Sequence, residues 1–230
     1  MSMLCLSRPV LLCLTTFHAR LKKAEIIPTV IDSFKPFLTV NVTWPNATAD
    51  YGNTVKPAKV QDMPSVALIN VLPHSFLASD KILPQLTLAL TDPDAPSRDD
   101  PEWSEICHWI ATSIPLSGSG ESHSLDSQDL KEIMPYKPPG PPPKTGKHRY
   151  VFVALAPSNG TTEKLHLEKP GDRQHWGFEK ERQGLSLWAE KMGLSVVGRL
   201  ENVLEEVQEV TRVLTSFAGA NFIYAQNDEQ

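Results

Sequence analysis

Leu86-Thr87-Leu88-Ala89-Leu90-Thr91-Asp92-Pro93-Asp94-Ala95-Pro96 and, further along, Gly140-Pro141-Pro142-Pro143-Lys144-Thr145-Gly146-Lys147-His148-Arg149-Tyr150 carry the two most informative patterns of this chain. The first is an apolar run of strand composition that stops at Asp-Pro-Asp-Ala-Pro. Proline fixes φ and bars its predecessor from helical conformation, so Asp92 is displayed at a strand end with little freedom. The second begins in prolines that suit neither helix nor central strand and must therefore line a surface or rim. Gly140 leaves a backbone N–H that an anion can approach with no side chain in the way. His148 and Tyr150 then lie two apart on a strand, on one face, with Arg149 on the other.

Working outward, strand signals dominate. Leu38, Val40, Val42 and Trp44 alternate with Thr39, Asn41 and Thr43, the period-2 pattern of a half-buried strand. Residues 66–71, 86–91, 108–114 and 150–156 read as further strands bounded by turn formers. Ser117 to Ser124 reads as a polar loop. Helical spacing appears in residues 24–34, through Ile26, Ile27, Val30, Ile31 and Phe34 around Pro28, and again from Phe178 to Lys191. Leu200, Val203, Leu204, Val207, Val210, Leu214 and Phe217 predict a further amphipathic helix over about 196–217. Residues 220–226 suit a final strand or a chain end packed on the core.

These elements predict a mainly β (α+β) fold of one domain over 24–226, preceded by a 1–23 N-terminal extension and followed by a short tail, 227–230. At 230 residues a single core of this kind is ordinary. The 20 prolines exceed the usual share of about 5%, yet they lie among apolar runs, which favours a loop-rich β domain over disorder.

A net charge of −5 gives no sequence-wide reason to bind nucleic acid or an anionic membrane, so an anion must be captured locally. No apolar run approaches the roughly 18 residues of a membrane-spanning helix. Cys5, Cys13 and Cys107 form neither a disulfide framework nor a metal-ligand spacing, and a reducing, cytoplasmic compartment suits them best. Residues 1–20, with Arg8 and Arg20 around the apolar Pro9-Val10-Leu11-Leu12-Cys13-Leu14, half-resemble a secretory or organelle targeting segment. Three sequons, at Asn41, Asn46 and Asn159, would matter only after secretion.

Asp92, His108 and His148 are the candidate proton carriers. Cys107 and His108 are strand neighbours that point to opposite faces, so they do not form a nucleophilic pair. Asp92, Asp94, His108 and His148 lack a zinc-site spacing, and hydrolase motifs are absent, so neither metal nor cofactor is expected. Binders and proton carriers stand together without a nucleophile, which leaves open whether the chain is an enzyme.

The two opening segments, in this order, closely resemble the signature regions of the phosphatidylethanolamine-binding protein family. Leu21-Lys22-Lys23-Ala24-Glu25-Ile26-Ile27-Pro28, Asn53-Thr54-Val55-Lys56-Pro57 and Gly219 to Gln226 resemble in particular the fungal branch that includes the carboxypeptidase Y inhibitor. The resemblance implies a large antiparallel sheet packed on a smaller one, with helices near the C-terminus and a small cavity for phosphate-like anions or phospholipid headgroups. It places the pocket on Asp92, Pro96, Trp103, His108, Tyr136, Gly140, Pro141, Pro142, His148 and Tyr150. The chain departs from the family pattern at Trp103, at Ile106-Cys107-His108, at Pro138, and in the inserted segment 196–217.

Two functions follow from the resemblance. The first is a binding regulator that recognises a small anion, carboxylate or headgroup and acts on a partner such as a serine carboxypeptidase. The alternative is an accessory or enzyme-like protein of fungal secondary metabolism, holding a dicarboxylate or maleic-anhydride intermediate beside a biosynthetic enzyme. There Asp92, His108 and His148 would move protons while Gly140 and Tyr150 meet developing negative charge.

Overall fold

A computed structural model describes residues 8–34, 38–70, 86–114, 116–117, 130–158, 165–195 and 219–229. The expected helix at 196–217 lies outside them. The chain opens with α1 (Arg8–Lys23) and a short turn, α2 (Ile26–Thr29). The strands β1 (Leu38–Trp44), β2 (Ala47–Thr48), β3 (Asn53–Thr54), β4 (Ser65–Asn70), β5 (Leu86–Asp92) and β6 (Ile106–Ile114) follow. Next come β7 (Leu116–Ser117), β8 (Lys131–Met134), β9 (Lys147–Pro157), α3 (Gly184–Lys191), β10 (Leu194–Ser195) and β11 (Gly219–Gln226).

Two open sheets form. The smaller has the order β2-β1-β4-β7; the larger runs β3-β11-β9-β5-β6-β8, with β10 on β9. Pairing is antiparallel throughout except where β3 joins β11 and β7 joins β4. The predicted large and small sheets are thus present.

Alternation explains the packing. In β9, Tyr150, Phe152, Ala154 and Ala156 face the core shared with the small sheet, where Val40, Val42, Val66 and Leu68 meet them. Val151, Val153 and Leu155 face a second core roofed by Phe17 and Leu21 of α1, by Ile26 to Phe34, by Trp176, and by Leu185, Trp188 and Ala189 of α3. A strand covered on both faces needs an unbroken apolar run rather than alternation, and that is how residues 150–156 read. Where β11 crosses β1, Gly219 has no room for a side chain: a Cβ would lie 2.3 Å from Leu38 Cδ1.

Some expectations change. The helix expected over 24–34 is only the α2 turn, with Ile27 in an extended conformation (ψ 119°). The apolar residues there are buried as read, but they plug the sheet from an irregular segment, because Pro28 cannot donate within a helix. The helix expected from Phe178 starts at Gly184, after a 3-10 turn at His175–Gly177. Ser117, read as loop, pairs in β7.

The extension contains α1, whose Phe17 and Leu21 belong to the core. The helix ends at Lys23, Glu25 follows in the left-handed region (φ 55°), and Arg149 donates to the carbonyls of Ala24 (2.9 Å) and Glu25 (2.8 Å). Those bonds satisfy carbonyls that the helix end leaves exposed, and they place a cation at the negative end of the helix dipole.

Candidate functional site

Asp92 terminates β5 and is buried. Its Oδ1 accepts the Asp94 N–H at 2.8 Å, which closes the Asp-Pro-Asp turn, and its Oδ2 faces His148 Nδ1 at 2.9 Å. Neighbouring strand residues point oppositely, so Arg149 reaches the other carboxylate of the turn. Its Nε and backbone N–H each donate to Asp94 Oδ2 at 2.8 Å, and its terminal nitrogen donates to Asp94 Oδ1. Two successive side chains of β9 therefore grip the two aspartates of one turn, and Arg149 also holds α1. A buried ion pair stands or falls with all its hydrogen bonds, and here the carboxylate and guanidinium are both well supplied.

The second imidazole nitrogen of His148 meets Thr145 Oγ1 at 2.9 Å, and that hydroxyl also lies 2.8 Å from the Pro142 carbonyl. Thr145 donates its one proton to Pro142 O, which leaves its oxygen lone pairs facing His148 Nε2. The cradle is pinned elsewhere: Asn227 Nδ2 donates to Pro141 O at 3.2 Å, and Lys144 N–H donates to Glu229 O at 3.0 Å. Gly140 is exposed, and its N–H donates to the Tyr150 hydroxyl over a long 3.3 Å.

Tyr150 stacks on His148 with ring centroids 6.4 Å apart and meets His108 edge-on at 5.1 Å. Burial and the neighbouring Asp92 carboxylate push its phenol well above the ordinary range, so it stays protonated. The register between β5 and β6 shifts at His108, with Thr91 opposite Cys107 but Leu90 opposite Trp109. This bulge turns His108 toward Tyr150 on the side where Trp109 meets Tyr136, at 5.7 Å.

His108 Nδ1 donates to the Lys137 carbonyl at 2.8 Å. Burial lowers its pKa to about 4, against partial compensation from Asp92. It is consequently neutral at pH 7, with Nε2 as a lone-pair acceptor. Cys107 packs into the opposite core, where burial pushes its thiol far up and removes it as a nucleophile.

The structure thus gathers Asp92, His108, His148, Tyr150, Gly140 and Pro142 through direct contacts or a shared partner. Pro141 is buried behind the cradle, and Pro96 lies half-buried on the loop after Asp92. Tyr136 stands in the wall, its hydroxyl donating to Val60 O at 2.9 Å. Trp103 is 43% exposed and is tied to the loop by its backbone N–H to Ala95 O. Among the described residues no group of three His, Cys, Asp or Glu is placed to share a metal ion. None of their helices is long and apolar enough to cross a membrane.

Sequence reading missed three supports. Thr145 could have been found from its position three residues before His148. The Asp94–Arg149 pair was visible only as charges in the two motifs. Arg173, which donates to the carbonyls of Cys107 (2.9 Å), His108 (3.1 Å) and Pro135 (2.8 Å), lies in a segment with no motif signal.

Residues 49–197 match the family model for phosphatidylethanolamine-binding protein. The chain is similar to the carboxypeptidase Y inhibitor of Saccharomyces cerevisiae, at 30% identity over 195 residues, covering 76% of this chain and 89% of that protein. It is also similar to Protein FLOWERING LOCUS T of Arabidopsis thaliana, at 28% identity over 153 residues, or 66% of this chain and 75% of that one. Among solved structures, the carboxypeptidase Y inhibitor complexed with its cognate proteinase superposes with a TM-score of 0.70 at 26% identity, covering 93% of this chain and 96% of that one. A Plasmodium vivax phosphatidylethanolamine-binding protein, with a TM-score of 0.59 and 16% identity over 91% and 97% of the two chains, shares the fold. With both sheets, the paired motifs and these matches in place, the chain belongs to the phosphatidylethanolamine-binding protein family.

Proposed function

We propose that this chain is a binding regulator that inhibits a serine carboxypeptidase, with the Asp92–His148–Tyr150 cluster as the seat for a small phosphate-like anion. The observation that carries this reading is the likeness, across nearly the whole chain, to a carboxypeptidase Y inhibitor captured with its proteinase. The site chemistry is consistent with binding rather than turnover. Its acid, imidazoles and phenol hold one another, and the thiol nearby is buried and protonated.

The same chemistry narrows the ligand. Gly140 supplies an N–H on an exposed stretch, whereas neutral His108 supplies only a lone pair. A singly protonated phosphomonoester, a monoanion, offers both an anionic oxygen for the first and an O–H for the second. A fully ionised dianion would meet Asp92 with nothing to give.

Purified chain at micromolar concentration is expected to inhibit carboxypeptidase Y, and activity unchanged at every concentration would remove the inhibitor reading. Titration calorimetry with a phosphomonoester such as phosphoethanolamine is expected to show weak binding that strengthens from pH 8 to pH 6, as the monoanion forms (second pKa about 6 for phosphomonoesters). Asp92→Asn and His148→Gln should each weaken it about tenfold or more, because the Asp92–His148 bond orients the groups around the seat. Affinity unchanged from that of the unsubstituted chain in both variants would place the anion elsewhere.

A further inference from the structure

A separate cavity of about 470 Å³ lies between the last turn of α1, the 50–53 turn and β11. Arg20, Lys23 and Asp50 line it together with Tyr51, Phe222 and Tyr224. None of these residues belongs to the Asp92 cluster. We propose that this cavity is a binding site for a small organic monocarboxylate bearing an aromatic or branched apolar group.

Arg20 and Lys23 are three apart on α1 and so project from one face, against the single carboxylate of Asp50. A favourable dipole at a helix C-terminus accounts for basic residues there, but not for their standing over an aromatic-walled cavity. Arg20 and Asp50 are 3.9 Å apart, with side chains 50% and 73% exposed, a loose pair that an incoming carboxylate can open at little cost. Lys23 has no ion-pair partner among the described residues. The local excess of one positive charge matches a monoanion.

The volume falls within the range of small-molecule pockets and exceeds what an inorganic anion fills. Three aromatic residues in the lining suit an occupant with an apolar group, and their rings are braced: Phe222 and Tyr224 meet edge-on at 5.6 Å, and Phe17 supports Tyr51 at 5.1 Å.

The cavity is also preformed. Tyr51 N–H donates to Asn221 Oδ1 at 2.9 Å, Gly52 N–H donates to Phe222 O at 2.8 Å, and Asp50 N–H donates to Asn53 Oδ1 at 2.8 Å. At Gly52 (φ 104°) a Cβ would lie 2.7 Å from the Phe222 ring, so the turn sits against the aromatic wall as closely as a glycine permits. A turn tied at three points loses little entropy when a ligand arrives.

The test uses N-acetyl-phenylalanine as probe, with N-acetyl-phenylalaninamide as the uncharged control, read by amide chemical shifts of the full chain. The acid is expected to shift the Tyr51, Gly52 and Asn53 amides saturably and to bind at least tenfold more tightly than the amide. Arg20→Gln combined with Lys23→Gln should weaken it at least tenfold, and Lys23→Glu alone should do the same. Thermal melts confirm that each variant is folded. Asp92→Asn should leave this binding unchanged, which separates the site from the phosphate seat. Equal affinity for acid and amide, no shift at Tyr51 to Asn53, or full affinity in the Gln and Glu variants would overturn the proposal.

Discussion

Two buried side chains, His108 and Glu105, titrate in opposite senses near the turn that carries Asp92. Burial raises the Glu105 carboxyl from 4.5 to about 7, although Thr91 donates to its Oε2 at 2.9 Å. Its stabilising contribution is full below pH 4.5 and is lost as pH rises through about 7, because the native state holds a proton that the unfolded chain releases. His108 is the reverse, with its pKa lowered from 6.5 to about 4. Its contribution is full above pH 6.5 and is lost as pH falls through about 4. Each shift is equivalent to about 3 kcal/mol, so the two nearly cancel between pH 4.5 and 6.5. Glu105→Gln should therefore unmask stability that rises with pH across that window, and His108→Gln should unmask stability that falls. Urea midpoints at pH 4.5, 5.5 and 6.5 check this, and parallel curves for both variants would contradict it. Asp92 and His148 were legible from the sequence because each sits in a motif whose prolines or alternation fix its direction. Glu105 was not, since its burial depends on Trp176 and α3, which arrive from far along the chain.

At the scale of elements, α1 is part of the fold. Leu21 is fully buried, and the helix end is held by Arg149, a residue of the central strand β9. Leu21→Ala is expected to cost 2–5 kcal/mol, the usual range for a buried leucine that leaves a cavity. A urea titration measures it, and a loss under about 0.5 kcal/mol would mean that α1 packs only loosely. The sequence reading placed residues 1–23 outside the domain because their apolar run and early basic residues look like a targeting segment. Composition cannot distinguish a helix that inserts elsewhere from one that docks on its own sheet. The apolar pattern of residues 24–34 was likewise read correctly as burial and incorrectly as helix. Periodicity reports which residues face the core, whereas Pro28 and the left-handed Glu25 decide the path.

Across the whole molecule, β9 and β5 are interior strands of the larger sheet and are covered on both faces, while β3 and β8 are its margins. Hydrogen exchange should find the β9 and β5 amides opening only with global unfolding, and those of β3 and β8 exchanging earlier. Exchange from β9 as fast as from β3 would contradict a single layered core. Local pattern was enough for the β class, for most strand positions, for Asp92 at a strand end and for His148 and Tyr150 on one strand face, because those features follow from alternation and from the φ restriction of proline, whereas the pairing of Asp92 with that face was implied by the family resemblance. Only the tertiary structure decided that His108 turns to the Tyr150 side at a bulge, that Arg149 joins the Asp94 turn to α1, and that Arg20 and Lys23 stand over an aromatic cavity. Each of these depends on contacts between segments distant in sequence, whose register and docking are set by packing of the whole core rather than by any local pattern.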